Sequence, residues 1–249
     1  MTTDLGGRTA LVTGGAGGIG RACVRALAAA GAKVHVVDLD AARAEEAAAE
    51  VGGWAHVADL TEPSAIDALP DGIDILVNNA GIQHVAPLPE FPPAAFARMQ
   101  ALMVTAPFLL IRRSLPAMYA RGWGRIVNMS SVHGLRASAY KAAYVAAKHG
   151  LEGLSKVAAI EGAEHGVTSN CVNPGYVRTA LVDAQVDAQA AEHGIPREDV
   201  VERVLLRRAA IKRLIEPADV ASLVVWLCGA RAGHVTGTSI PLDGGWTAA

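Results

Sequence analysis

The stretch that decides the fold is Thr13-Gly14-Gly15-Ala16-Gly17-Gly18-Ile19-Gly20. It follows a short apolar and β-branched run, Thr9–Thr13, and opens a segment with helical spacing, Ile19–Ala30, which ends at Gly31. Glycines let the backbone turn sharply and approach a pyrophosphate, while the helix N-terminus supplies N–H donors and a positive dipole end. A strand, a glycine-rich turn and a helix in this order predict a dinucleotide-binding site. A glycine turn with a merely structural role is the alternative.

Beyond this stretch, short strand patterns alternate with longer helical patterns. The predicted strands are Lys33–Val37, Trp54–Val57, Ile73–Val77, Arg125–Met129, Thr168–Val172 and Ser239–Leu242. The predicted helices are Ala41–Val51, Ala94–Ala120 with a bend expected at Pro107, Ala142–Glu164 and Pro217–Leu227. This alternation is typical of βαβ units, in which helices cover both faces of a mostly parallel sheet. Right-handed crossovers then give a doubly wound, Rossmann-like α/β fold.

The chain of 249 residues shows no linker, repeat or low-complexity block, so we expect a single domain over residues 1–249. One segment, Val182–Leu214, interrupts the alternation and has a helical pattern. It follows the C-terminal edge of a predicted strand, where ligands bind in such sheets. We therefore expect a helical lid over the substrate, and a surface insertion is the alternative.

Composition and charge exclude several classes of protein. A hydrophobic content of 51% excludes a disordered chain. The net charge of −2 gives no indication of nucleic acid or of an anionic membrane surface as a partner. The N-terminus lacks a signal-peptide pattern, and no apolar run reaches about 18 residues, so we expect no membrane span. Cys23, Cys171 and Cys228 form no CxxC pair, which favours reduced core cysteines, a cytoplasmic location and no metal site.

An acidic residue follows the second predicted strand. Asp38 comes 18 residues after Gly20, close to the spacing at which an acid binds the ribose hydroxyls of a dinucleotide. A carboxylate there accepts two hydroxyl hydrogen bonds and repels a 2′-phosphate. Gly15, Gly17 and Leu39 supply no cation for that phosphate, so the sequence favours NAD over NADP.

Further motifs follow in an order that resembles the short-chain dehydrogenase/reductase family across essentially the whole chain. They are Asp59-Leu60, Asn78-Asn79-Ala80-Gly81, Ser131, Tyr144, Lys148, Asn173-Pro174-Gly175 and Thr179. The resemblance implies the strand order 3-2-1-4-5-6-7 and an oxidoreductase with a nicotinamide cofactor. It assigns cofactor contacts to Thr13, Gly14, Gly18, Ile19, Gly20, Asp38, Asp59, Leu60, Asn79, Ala80, Gly81, Tyr144, Lys148, Pro174, Gly175, Val177 and Thr179.

Ser131, Tyr144 and Lys148 match the catalytic residues of this family. Oxidation of an alcohol needs a base for the hydroxyl proton while hydride leaves carbon. A free tyrosine, with a pKa near about 10, is mostly protonated at neutral pH, and lowering its pKa by about three units takes ~4 kcal/mol. Lys148 comes four residues after Tyr144 on a predicted helix, so its ammonium lies on the same face and supplies part of this. By resemblance, Lys148 also holds the nicotinamide ribose, and Ser131 orients the substrate oxygen.

One residue departs from the family pattern. Met103 stands where the family usually carries an asparagine that helps to hold a water in a proton relay. Methionine cannot make that hydrogen bond, and the plain interpretation is a core residue. We hypothesise that a backbone carbonyl and water alone complete the relay, so that turnover survives.

Polar residues near the catalytic motifs indicate the substrate. They are Gln83, His133, Lys141 and Gln185. Hydrogen-bond donors with a cation suit a small anion, most simply a carboxylate, although each residue alone is equally consistent with a solvated surface. Together they resemble the carboxylate pocket of bacterial D-3-hydroxybutyrate dehydrogenases, a subfamily in which the counterpart of Trp246 packs over the methyl end of the substrate. Tyr176 stands where a second tryptophan is often found, so a somewhat different 3-hydroxy acid remains an alternative.

Two other functions and an assembly follow from the same residues. A 3-oxoacyl thioester reductase would prefer NADPH and a basic surface, and Asp38 and Lys141 argue against it. A dinucleotide-sensing protein without turnover has little reason to keep Ser131, Tyr144 and Lys148 together. The resemblance also implies a homotetramer, with one interface on the helix that carries Tyr144 and the helix before it, and a second at the C-terminal region.

Overall fold

The computed structural model describes residues 3–248, without the side chains of residues 181, 184, 185, 188, 189, 192 and 193. The strands are β1 (Thr9–Thr13), β2 (Lys33–Asp38), β3 (Trp54–Val57), β4 (Ile75–Asn78), β5 (Gly124–Met129), β6 (Val167–Pro174) and β7 (Ser239–Leu242). The helices are α1 (Gly18–Ala29), α2 (Ala41–Ala49), α3 (Pro63–Asp67), α4 (Pro93–Gln100), α5 (Ala106–Arg121), α6 (Ala142–Gly162), α7 (Ala180–His193), α8 (Arg197–Asp199) and α9 (Pro217–Cys228).

The seven strands form one sheet in the order β3-β2-β1-β4-β5-β6-β7, and every pairing is parallel. This confirms the predicted single-domain, doubly wound α/β fold and its strand order. The predicted bounds hold for β1, β3 and β7, whereas β4 begins at Ile75 rather than Ile73 and β6 runs on to Pro174. The short helix α3 carries no strong periodic pattern and was not predicted.

Each face of the sheet is covered by its own apolar core. Neighbouring residues of a strand point to opposite faces, so Val12 joins a core with α1 and α9, while Leu11 joins a core with α5. Every residue of β4, β5 and β6 is buried, as expected of a parallel sheet with both faces covered. The buried polar side chains of these strands, such as Asn128 and Asn170, are hydrogen-bonded within the protein.

The long helical region before β5 is irregular one turn before the place where a bend was predicted. The bend was expected at Pro107, but the irregularity is a π-helical segment, Ala101–Thr105, that lies one turn earlier and joins α4 to α5. Pro107 has no N–H and cannot donate to the carbonyl of Met103. The N–H of Ala106 reaches back five residues to the carbonyl of Ala101 instead.

One helical stretch, Pro93–Arg121, is long and apolar enough by length and composition to cross a membrane. Its residues Met103, Leu110 and Met118 are buried against the rest of the domain. Arg113 in the same stretch forms an ion pair with Asp71, at 2.9 Å. The stretch is therefore a core helix of this fold.

A stability test follows from the buried sheet. Leu76, at the centre of β4, is fully buried, and Leu76→Ala is expected to lower the free energy of unfolding by about 2 to 5 kcal/mol because it leaves a cavity. The matched control Leu88→Ala removes a side chain that is 74% exposed and should change that free energy by about 0.5 kcal/mol or less. Urea denaturation followed by circular dichroism measures both, and equal effects would contradict the assignment of β4 to the core.

Candidate active site

A cleft of about 490 Å³ opens at the carboxyl ends of the strands. It lies where the order of the sheet reverses, between β1 and β4, because the chain winds outward from these two strands in opposite directions. Ligands of open α/β sheets bind at this point. The fold therefore places the cleft independently of any motif.

The glycine-rich turn is held by side chains from the ends of β1 and β4. The Thr13 hydroxyl accepts hydrogen bonds from the backbone N–H groups of Asn79, at 2.9 Å, and Ala80, at 3.1 Å. The Asn79 amide in turn donates to the carbonyls of Thr13, at 3.0 Å, and Gly14, at 3.1 Å. These bonds connect the turn to the next strand and fix its shape before any ligand binds.

The turn leaves room and hydrogen-bond donors for a phosphate. Gly14 and Gly18 have positive φ angles of 60° and 51°, and a Cβ on Gly20 would collide with the Gly14 carbonyl. No side chain caps the N-terminus of α1 at Gly17, so its first N–H groups remain available to an anion. Gly17, Gly18 and Ile19 line the cleft. This cradle fits the pyrophosphate of a dinucleotide.

Two acids lie farther along the same cleft. The Asp38 carboxylate accepts hydrogen bonds from the backbone N–H groups of Ala16, at 3.0 Å, and Leu39, at 2.8 Å, which fix its orientation at the end of β2. The Asp59 carboxylate accepts from the N–H of Thr61, at 2.9 Å, and from its hydroxyl, at 2.7 Å. These bonds from Thr61 lower the pKa of Asp59. Both acids line the cleft.

A cation that sequence reasoning missed lies beside Asp38. Arg43, in the first turn of α2, lines the cleft, and its Nη2 occupies the space next to Gly17 that a Cβ there would need. Arg43 forms no ion pair within the described part of the chain. In the sequence, a cation for the 2′-phosphate was expected only within the glycine turn or directly after Asp38. The first turn of α2 brings Arg43 back over the glycine turn.

Ser131, Tyr144 and Lys148 come together on the floor of the cleft. Ser131 follows β5 and starts a 3-10 turn, in which its hydroxyl accepts from the N–H of His133 at 3.2 Å. Tyr144 and Lys148 share one face of α6, and the Lys148 nitrogen lies 5.5 Å from the centre of the tyrosine ring. The buried Lys148 ammonium donates to the carbonyl of Met129 at 2.6 Å.

Burial shifts the pKa values of these groups in opposite directions. It raises the pKa of Tyr144, although a hydrogen bond with the Ser131 side chain acts against this. Burial lowers the pKa of Lys148 to about 8, against the opposing effects of Cys171 and Glu152. Burial thus disfavours the charged form of both groups, and the Lys148 ammonium is lost as pH rises through about 8.

Two nitrogen-bearing side chains line the substrate end of the cleft. His133 is buried, and its ring nitrogens lie 3.4 Å from the Ser131 hydroxyl and 3.0 Å from the Ser138 hydroxyl. Burial, with the charge of Lys141 next, lowers the pKa of His133 to about 4, so its ring is neutral at physiological pH. Burial also lowers the pKa of Lys141. Lys141 is half-buried, and no carboxylate of the described residues pairs with it.

The backbone before Lys141 is strained. Tyr140 has a φ angle of 68°, which a residue with a side chain rarely adopts, and its carbonyl accepts from the N–H of Ala86 at 3.0 Å. This bond joins the start of α6 to the loop that carries Gln83. The strain is thus located where Lys141 and Gln83 are brought to the same cleft.

The structure gathers nearly all of the residues named from the sequence. Among the cofactor candidates, only Thr13 and Gly20 lie behind the lining, where they shape the turn. Of the substrate candidates, the cleft is lined by Gln83, Ser131, His133, Lys141, Tyr144 and Tyr176. Trp246 is buried behind His133, with ring centres 5.9 Å apart, and the side chain of Gln185 lies outside the described residues.

The segment expected to be a lid is largely helical. It contains α7, α8 and a π-helical stretch, Val200–Leu205. Val182 and Leu205 pack with Trp246 in an apolar cluster of their own, and Val182 also lines the cleft. At its base, Val177 bridges to Ile215. The segment thus reaches the cleft at Val182, and a lid over the substrate stays a prediction.

Comparison with known proteins agrees with this geometry. Residues 8–190 match the family model of short chain dehydrogenases. D-beta-hydroxybutyrate dehydrogenases of Rhizobium meliloti and Cupriavidus necator are each 44% identical to the chain, covering 97% and 98% of it and 99% of each relative. The structure of L-sorbose reductase from Gluconobacter frateurii, complexed with NADPH and L-sorbose, superimposes with a TM-score of 0.93 at 28% identity and covers all of both chains. The chain belongs to the short-chain dehydrogenase family, and it is an oxidoreductase with a nicotinamide dinucleotide cofactor.

Substitution of Met103 tests whether the proton relay needs a hydrogen-bonding side chain at this position. Met103 lies in the π-helical segment, is 1% exposed, and packs against Met99, Ala143 and Ala147. If a backbone carbonyl and water alone complete the relay, as we hypothesise, Met103→Asn should leave kcat within roughly two-fold of the wild type. The buried amide should lower stability by about 1 to 3 kcal/mol. Steady-state kinetics and thermal melting measure the two effects. A large rise in kcat would show that the relay is impaired in the natural protein.

Proposed function

We propose that this enzyme oxidises a small 3-hydroxy acid with NAD, most simply D-3-hydroxybutyrate to acetoacetate, in a reversible reaction. The observation that carries the proposal is Lys141, a half-buried cation at the substrate end of the cleft that no carboxylate among the described side chains pairs with. A buried cation without a partner is costly, and a carboxylate substrate supplies the partner. Gln83 and the neutral His133 add hydrogen-bonding groups around that carboxylate.

The catalytic residues divide the chemistry between them. Ser131 donates a hydrogen bond to the substrate oxygen and orients it toward Tyr144, which takes the hydroxyl proton as general base. Lys148 stabilises the tyrosinate electrostatically from the same helix face. The dinucleotide, when bound, accepts the hydride. In the reverse direction Tyr144 returns the proton to the carbonyl oxygen.

We infer the preference for NAD from Asp38. Its carboxylate, oriented by two backbone N–H groups, suits two ribose hydroxyls and repels a 2′-phosphate. Arg43 acts in the opposite direction, since its guanidinium stands close enough to the same subsite to attract that phosphate. We expect the enzyme to prefer NAD while retaining weak binding of NADP.

A homotetramer in the cytoplasm is part of the proposal. Large apolar side chains are exposed on α5 and α6, at Phe108, Val157 and Ile160, and on α9, at Trp226. These positions match the two interfaces that the family resemblance implies. The three cysteines are free and buried, as expected of a reducing compartment.

The substrate assignment is tested by NADH formation from NAD with D- and L-3-hydroxybutyrate. We expect turnover of the D form, and Lys141→Ala should raise its KM about 10- to 100-fold because a charge-assisted contact is lost. The control Lys33→Ala removes an exposed lysine on β2, far from the cleft, and should leave KM unchanged. Tyr144→Phe should abolish turnover while NADH still binds. If neither enantiomer reacts although NAD binds, the substrate is another secondary alcohol.

The cofactor assignment is tested by binding rather than turnover. Titration of the enzyme with NADH and NADPH, followed by nicotinamide fluorescence, should show tighter binding of NADH. Asp38→Ala is expected to weaken NADH binding and to strengthen NADPH binding, each by about tenfold, since the carboxylate favours hydroxyls and repels phosphate. Arg43→Ala should weaken NADPH alone. Equal loss of both cofactors in Arg43→Ala would place the guanidinium on a part of the dinucleotide that the two share.

A further inference from the structure

A buried acid lies next to the catalytic residues but outside the cleft lining. Glu152 is on α6, four residues after Lys148 and eight after Tyr144, so it continues the same helix face into the core. It is 5% exposed. No lysine or arginine of the described residues forms an ion pair with it. A carboxylate buried in this way is costly unless its oxygens are well hydrogen-bonded.

Both carboxylate oxygens are held by neutral donors. Oε1 accepts from the side-chain amide of Asn173 at 2.5 Å, and Oε2 accepts from the hydroxyl of Ser239 at 2.5 Å. Asn173 is near the end of β6, and Ser239 begins β7. Glu152 thus connects α6 to the two strands at that side of the sheet.

The amide of Asn173 connects Glu152 to the backbone of Ser131. Its nitrogen donates one hydrogen bond to Glu152 and another, at 2.9 Å, to the backbone carbonyl of Ser131. Two acceptors face the same nitrogen, so the orientation of the amide is determined by the carboxylate and the carbonyl together. Asn173 also directly precedes Pro174 and Gly175, which line the cleft.

The turn after Ser131 is shaped to receive the acid. Gly134 ends that turn, and a Cβ on it would lie 2.8 Å from Oε1 of Glu152 and would collide with the Ser130 hydroxyl. A side chain at this position would therefore push the carboxylate or the Ser131 turn out of place. Close approach of backbone to a buried carboxylate is the physical reason for glycine at position 134.

We propose that Glu152 is a positioning residue, whose buried carboxylate holds Asn173 and, through it, the Ser131 turn in the arrangement needed for hydride transfer. This rests on the proposed catalytic roles of Ser131, Tyr144 and Lys148. Glu152 touches neither substrate nor cofactor and acts only through these neighbours. The competing explanation is that the acid merely joins α6 to β6 and β7.

The charge of Glu152 also acts on Lys148. The Lys148 ammonium donates to the carbonyl of Met129 from β5 and lies 5.5 Å from the ring centre of Tyr144, while Cys171 from β6 and Glu152 from its own helix act on it electrostatically. Burial raises the pKa of the Cys171 thiol, which keeps it neutral. Glu152 is then the anion that opposes the loss of the ammonium as pH rises. Removing the charge of Glu152 should lower the pH at which Lys148 loses its proton.

Two variants separate charge from geometry. Glu152→Gln keeps the size, can accept from Asn173 and can donate to Ser239, but it has no charge. Glu152→Leu removes the hydrogen bonds as well. The matched control is Ser155→Ala, which removes another buried hydrogen bond of α6, the one between the hydroxyls of Ser155 and Ser169 at 3.0 Å.

We expect Glu152→Leu to lower kcat about 10- to 100-fold with little change in KM, because Asn173 no longer holds the turn that positions the Ser131 hydroxyl. Glu152→Gln should retain most of kcat but shift the alkaline limb of the pH profile for kcat/KM by about one unit to lower pH. Ser155→Ala should change neither, although thermal melting shows a comparable loss of stability. Wild-type kcat for Glu152→Leu, or a pH profile unchanged in Glu152→Gln, would overturn the proposal.

A second measurement does not depend on the substrate. Since Lys148 lines the cofactor cleft, NADH binding should weaken as its ammonium is lost above a pH of about 8 in the wild type. The midpoint of this loss should be lower in Glu152→Gln and unchanged in Ser155→Ala. An identical midpoint in all three proteins would overturn the role of the charge. If NADH binding behaves as expected while 3-hydroxybutyrate does not react, the proposed substrate fails and the role of Glu152 stands.

Discussion

A parallel sheet covered by helices on both faces can expose its strands to ligands only at their ends, and this constraint organises the whole molecule. Because every pairing in the sheet is parallel, the carboxyl ends of all seven strands lie at one edge. The glycine turn after β1, Asp38 after β2, Asn79 after β4, Ser131 after β5 and Pro174 at the end of β6 are far apart in sequence. They share one cleft because each of them ends a strand.

The second organising feature is the burial of charge at that edge. Lys148 keeps its ammonium in a buried site by donating to a backbone carbonyl, and the buried Glu152 carboxylate one turn further on favours its charged form. Lys141 is left half-buried without an anion, and burial keeps His133 neutral. The site therefore combines an ammonium that acts on Tyr144 with a second cation that an anionic substrate can neutralise. Both proposals, on substrate and on Glu152, follow from this distribution of charge.

The motifs that could be recognised in the sequence are those with a fixed local geometry. The glycine turn, the tyrosine and lysine four residues apart, and the short apolar strands each depend on contacts within a few residues. Contacts between distant segments gave no local signal. Arg43 reaches Gly17 only because α2 folds back over the loop, and Glu152 meets Asn173 and Ser239 only across three elements of the fold. The irregularity before α5 lies one turn earlier than the predicted bend, because the missing N–H of Pro107 affects the carbonyl four residues earlier.

The sequence by itself determined the alternation of strands and helices, since apolar periodicity and turn chemistry are local properties. Its resemblance to the family implied the strand order, and nearly all of the site residues named from the sequence line the cleft. Only the tertiary structure decided which side chains are buried and what they then contact. It placed Trp246 behind His133, left Lys141 without a partner, and gave Glu152 two neutral donors. The physical reason is that desolvation and hydrogen-bond partners arise from segments brought together in space, and an amino-acid pattern does not record them.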